Sequence, residues 1–132
     1  MGRRTFSFVF GRNKFIALNT NSREVGFNGT VPDIAWLRDE AQDAGNYRNV
    51  FFLSHVAPFS RDFDKNLEMQ YASMVSFTPN ARLSMHAHEH TFSYSNPYND
   101  GFAYVVTGSI GKRNYVLITV RGSNVTVEEK NF

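Results

Sequence analysis

Cysteine is absent from all 132 residues, which rules out disulfides, thiolate-held zinc and a cysteine nucleophile. Any metal must therefore be held by His, Asp, Asn or backbone oxygen. Long apolar runs are missing as well. No stretch approaches the roughly 20 apolar residues that span a bilayer, and the run inside the opening MGRRTFSFVFG is too short for a signal peptide. Localisation stays open between cytoplasm and export, and no membrane association is expected. Charge of one sign is scarce too. The formal net charge is +2, and basic residues cluster no further than the pairs Arg3-Arg4 and Lys112-Arg113. Nucleic acid and anionic membranes are poor partners for such a surface. No phosphate-cradling glycine loop is present either, since Gly108 to Lys112 lacks the full spacing.

Large side chains are plentiful. Thirteen Phe and six Tyr, in a chain that is 42% hydrophobic, exclude a disordered polymer. The length suits one domain over residues 1–132. Phe6, Phe8 and Phe10 alternate with Ser7 and Val9, and Gly11-Arg12-Asn13 turns the chain into Lys14 to Leu18, predicting a hairpin. Asn19 to Thr30 is a polar loop. Pro32 and Asp33 open a helix whose stripe is Ile34, Leu37, Ala41 and Ala44, ended by Gly45-Asn46. The continuous run Val50 to Leu53 fits an interior strand covered on both faces. An irregular helix is expected over Asp62 to Phe77, then short strands at Ala81 to Met85 and Phe102 to Thr107. A last hairpin joins Tyr115–Val120 to Val125–Glu129 across Arg121-Gly122-Ser123-Asn124. The sum is about seven strands and two helices, an α/β (α+β) class with a mixed to mostly antiparallel sheet and helices on one side.

All four histidines lie after two of these strands: His55 after the first, and His86, His88 and His90 after the second. Imidazoles at alternate positions of extended backbone share one side, and imidazole suits first-row divalent metals. The same run is equally compatible with a polar loop whose histidines bond to backbone. Asp62, Asp64 and Glu68 read as a solvated helix start, because nothing places a second carboxylate opposite them.

The run Phe52-Leu53-Ser54-His55-Val56-Ala57-Pro58-Phe59-Ser60 resembles the strand-then-HxPPFS segment of calcineurin-like metallophosphoesterases, and Ser84-Met85-His86-Ala87-His88-Glu89-His90 resembles their GHxH segment. Around these, Asp33-Ile34-Ala35-Trp36-Leu37 is similar to a family helix opening, and Tyr104 to Gly111 to the strand and glycine-rich turn before the last hairpin. Order and spacing agree over nearly the whole chain. The GHxH register has two solutions. If Ala87 replaces the glycine, the pair is His88 and His90; if Met85 does, it is His86 and His88. The first is favoured, because it adds one methyl group to a tight turn where the second adds a long side chain.

The resemblance implies the C-terminal half of a four-layer metallophosphoesterase sandwich that binds Mn, Fe, Zn or Ni. His55 and His88 would hold one ion and His90 the other, with Ser54, Pro58, Gly108 and Ser109 lining the site. The family's DxH, GDxxD and GNH segments, which supply the other ligands, do not occur here, and Gly45-Asn46-Tyr47 lacks the histidine. Hydrolysis of phosphate mono- or diesters then belongs to an intact protein in which a missing N-terminal half, or a second copy of this chain, completes the assembly. The hairpin Phe6 to Leu18 would lie inside a full family domain, and leaving its Phe6, Phe8, Phe10 and Phe15 wet would forgo about 1.5–3 kcal/mol each. Arg3, Arg4, Arg12 and Lys14 are expected to charge that edge. Two other classes stay open: a cupin-like metal barrel, and a non-catalytic metal-binding or protein-interaction domain presenting Phe92, Tyr94, Tyr98 and Phe102.

Overall fold

The computed structural model describes residues 5–132, so Arg3 and Arg4 lie outside the described residues. Within them the strands are β1 (Phe6–Phe10), β2 (Asn13–Leu18), β3 (Asn49–Ser54), β4 (Ala81–His86), β5 (Ser93–Ser95), β6 (Tyr104–Val106), β7 (Asn114–Arg121) and β8 (Asn124–Asn131). The α-helices are α1 (Ile34–Glu40) and α2 (Glu68–Phe77). No helix is long and apolar enough to cross a membrane among the described residues.

Six strands form one sheet in the order β1-β2-β3-β4-β6-β5, and β7 pairs with β8 alone. The alternating segment Phe6 to Leu18 folds as the expected hairpin, with Phe8 opposite Phe15 and Gly11 at a φ of +61° in its turn. From β2 onward the sheet is parallel: β2 with β3, β3 with β4, and β4 with β6. Only the edge strands β1 and β5 run antiparallel to their neighbours. The sheet is thus mixed, as expected, with a parallel centre in place of mostly antiparallel pairing. An open sheet of this kind also excludes a cupin-like closed barrel.

Period-two alternation divides the core. On β3, Val50 and Phe52 join the helix-side cluster with Ile16, Leu37, Tyr71 and Val75. Phe51 points the other way, to Leu83 and Val105, where Val116, Ile118, Val125 and Val127 of the β7–β8 hairpin pack. Both faces of β3 are therefore covered, by helices on one side and a two-stranded layer on the other. The Asp33 carboxylate caps α1 by accepting from the Trp36 N–H at 3.0 Å. The second helix begins at Glu68, not near Asp62, because the Asp64 carboxylate accepts from the Asn66 and Gly29 backbone N–H groups (3.0 and 2.8 Å) and holds the preceding turns out of helix.

Lys14, expected to charge the outer edge, turns inward instead. It is buried, with Nζ 2.6 Å from Asp43 and 3.0 Å from Glu40. Arg12 stays exposed in the β1–β2 turn, and Phe6, Phe8 and Phe10 on β1 are 50%, 47% and 76% exposed. Ring stacking runs inward from Phe8 to Phe15 at 4.8 Å and from Phe15 to Phe51 at 5.2 Å.

The turn after β6 is packed more tightly than its glycine suggests. A Cβ on Gly108 would stand 2.0 Å from Asn114 Oδ1, while Asn114 Nδ2 donates to Glu129 and Asn131 at 2.7 and 2.9 Å. Gly108→Ala is expected to cost about 1–3 kcal/mol, as overpacking does. Urea unfolding checks it, and an unchanged midpoint would show that Asn114 moves aside freely.

Candidate functional site

The carboxyl ends of β2, β3 and β4 open on one rim, the place where parallel sheets present loops to ligands. Asn19-Thr20-Asn21 leaves β2, His55 follows β3, and Ala87-His88 follows β4. Two internal bonds tie these loops together. Buried Thr20 Oγ1 accepts from the Val56 N–H at 2.8 Å, and the Ala87 N–H donates to the His55 carbonyl at 3.0 Å.

These ties bring His55 and His88 side by side. Their rings lie 5.0 Å apart at 81°, with His55 Nε2 3.2 Å from His88 Nδ1. Two nitrogens that each sit about 2.0–2.1 Å from one tetrahedral ion are separated by about 3.3 Å. The pair is therefore spaced either for a shared cation or for a shared proton. Burial, and then the charges of His88 and His90, hold the His55 pKa below its ordinary value, so its ring favours the neutral, ligating form.

His88 Nε2 faces away from His55 and lies 2.7 Å from Asp62 Oδ2, and Asp62 Oδ1 is 3.2 Å from an Arg23 guanidinium nitrogen. The hydrogen bond from His88, and then the charges of Arg23, His88 and Arg61, keep the Asp62 carboxyl below its ordinary pKa against the opposing effect of desolvation. The result is a linear chain, Arg23–Asp62–His88–His55, along a cavity of about 220 Å³ that Asn21 and Glu24 also line. A second cavity of about 430 Å³ adjoins it along Leu18 to Asn21.

The three alternate histidines do not share a face. Extended backbone ends at His86, and His88 and His90 have φ of +70° and +55°, left-handed values uncommon outside glycine. His90 is exposed, and its carbonyl accepts from Lys112 Nζ at 3.1 Å. His86 is buried with both ring nitrogens taken, Nδ1 2.8 Å from Ser54 Oγ and Nε2 2.8 Å from Ser84 Oγ. Its ring stacks on Tyr104 at 5.9 Å, and burial lowers its pKa to about 3.

Of the residues expected to line the site, Ser54 instead holds His86. The Pro58 carbonyl accepts from Lys65 Nζ at 3.0 Å, Gly108 abuts Asn114, and the Ser109 carbonyl receives the Lys112 and Asn114 N–H groups. None of the four is among the residues lining the two cavities beside His55. Asp62 and Arg23 do line the smaller one, and their spacing from the histidines in sequence carries no signal of it. Among the described residues, no group of three or more His, Cys, Asp or Glu is placed to hold a metal.

No protein-family model and no curated protein matches this sequence. Among solved structures, the solution NMR structure of the Thermotoga maritima protein TM1076 is similar at 12% identity and a TM-score of 0.37, over 89% of this chain and 98% of that one. So loose a likeness carries neither fold nor function across.

Proposed function

We propose that this chain supplies part of the metal site of a calcineurin-like phosphoesterase, with His55 and His88 as two ligands to one divalent ion. The observation that supports this most is the 3.2 Å approach of two ring nitrogens at the carboxyl ends of adjacent parallel strands. Mn, Fe, Zn and Ni all accept such donors. His90, exposed on the same loop, is the family-implied ligand for a second ion. A bound ion would polarise a phosphoryl oxygen or activate water. The chain's own residues would hold and orient it.

Two imidazoles leave such an ion short of donors, so the remaining ligands come from residues outside this sequence. In this reading the helices, the six-stranded sheet and the β7–β8 hairpin are part of a four-layer sandwich. An added N-terminal half, or a second copy of the chain, covers the exposed phenylalanines of β1. The exposed phenylalanines of β1 favour a second reading, a non-catalytic metal-binding or protein-interaction domain.

Activity assays test the incomplete site. The purified chain with Mn, Ni or Zn is expected to give no appreciable hydrolysis of aryl phosphate mono- or diesters. Turnover that vanishes in His88→Ala would contradict this, because it would require a complete catalytic centre within the chain.

A further inference from the structure

We propose that Asp62 is a positioning residue that fixes the tautomer and orientation of His88, leaving the Nδ1 lone pair directed toward His55. The inference rests on the metal reading of the His55–His88 pair for its purpose, but not for its geometry. An ionised carboxylate only accepts hydrogen bonds, so the 2.7 Å contact between Asp62 Oδ2 and His88 Nε2 requires the proton on Nε2. In the neutral ring, the lone pair is then on Nδ1, the atom 3.2 Å from His55 Nε2.

Asp62 is itself held. Arg23 donates toward its other oxygen at 3.2 Å, and the Asp62 side chain is only 16% exposed against 67% for Arg23. The carboxylate is thus sheltered on the His88 side and anchored from the solvent side. The His88 backbone, at a φ of +70°, is further secured by the bond from the Ala87 N–H to the His55 carbonyl. Ser60 Oγ adds to this by donating to Glu89 at 2.6 Å. Loop and ring are therefore set independently, the loop by bonds around Ala87 and Glu89 and the ring by Asp62. Metal-binding histidines characteristically donate their remote N–H to such a carboxylate, which fixes the ring and makes the ligating nitrogen more basic.

Replacing Asp62 by Asn reverses the preference. An amide can donate to Nε2, which moves the histidine proton to Nδ1 and places it between the two rings, where an ion would sit. The test is nitrogen-15 NMR of the histidine rings in metal-free protein, above the pH range where histidine titrates, together with zinc titration. Wild-type His88 is expected in the Nε2–H form. Asp62→Asn should shift it toward Nδ1–H and weaken zinc binding by about 10–100-fold. Asp62→Ala, which cannot donate, should lose the tautomer preference and weaken zinc similarly. Wild-type His88 in the Nδ1–H form, or variants that leave both tautomer and affinity unchanged, would overturn the assignment. If zinc does not bind the wild type while the tautomer still follows Asp62, the positioning role stands and the metal reading fails.

Discussion

Taking the protein from pH 7 to pH 4 should remove roughly 3 kcal/mol of stability through His86 alone. In the folded chain this ring is buried between Ser54 and Ser84, and burial lowers its pKa to about 3. In the unfolded chain it titrates near the ordinary value of about 6.5. Between those values the unfolded state binds the proton and the folded state does not. Stability is therefore intact above about pH 6.5, falls with pH through this window, and stops changing on this account below about pH 3. Each unit is worth about 1.36 kcal/mol, so some 2.5 units give roughly 3 kcal/mol, a large share of a typical 5–15 kcal/mol domain. His86→Gln removes the titrating ring. Whatever it costs at pH 7, the variant's loss between pH 7 and 4 in urea unfolding should be smaller than the wild type's by that amount. Equal losses in both proteins would mean that His86 charges within the fold.

A similarly large effect is expected in metal affinity. His55→Ala or His88→Ala leaves a lone imidazole where two nitrogens stood 3.2 Å apart. Removing an outer partner of a metal-binding histidine already costs about 10–100-fold, so removing one of two direct donors should weaken zinc by roughly 100-fold or more. His86→Gln should leave zinc affinity nearly unchanged, because both His86 nitrogens are occupied by serine hydroxyls. This contrast separates a specific pair from general histidine-rich attraction. Calorimetric titration measures it, and equal losses from all three substitutions would contradict the pairing.

How much of this was legible in the sequence follows from the range of the interactions. Alternation in Phe6 to Phe10 and the continuous Val50–Leu53 run are local signals, and both strands form where they put them, whereas the helix opened at Asp33 stops at Glu40 and Ala44 falls in a separate 3-10 turn, short of the expected end at Gly45-Asn46. Strand direction is not local. Parallel pairing of β2, β3, β4 and β6 depends on how the chain returns after Leu18, Ser54 and His86, which short apolar runs do not encode. The three-residue strand β5, Ser93–Ser95, is too short and polar to show a period and exists through its pairing with β6.

Lys14 looked like an edge charge from its neighbours but finds Glu40 and Asp43 across 26 and 29 residues. The histidine run puts His88 beside His55, but its three rings do not share the face that alternation implies. Alternation implies a common face only while the backbone is extended, and β4 ends at His86. Asp62 was hidden for the opposite reason. Its partner His88 is 26 residues away, and a carboxylate before a helix ordinarily means a solvated turn.

The central claim, that His55 and His88 jointly hold one divalent ion, is tested most directly by titrating zinc into the nitrogen-15-labelled chain and following the histidine ring nitrogens. His55 Nε2 and His88 Nδ1 should change together and saturate at one ion per chain, while both nitrogens of His86 stay fixed. Zinc that moves His90 or His86 without the His55–His88 pair, or leaves all four rings unmoved, would contradict it.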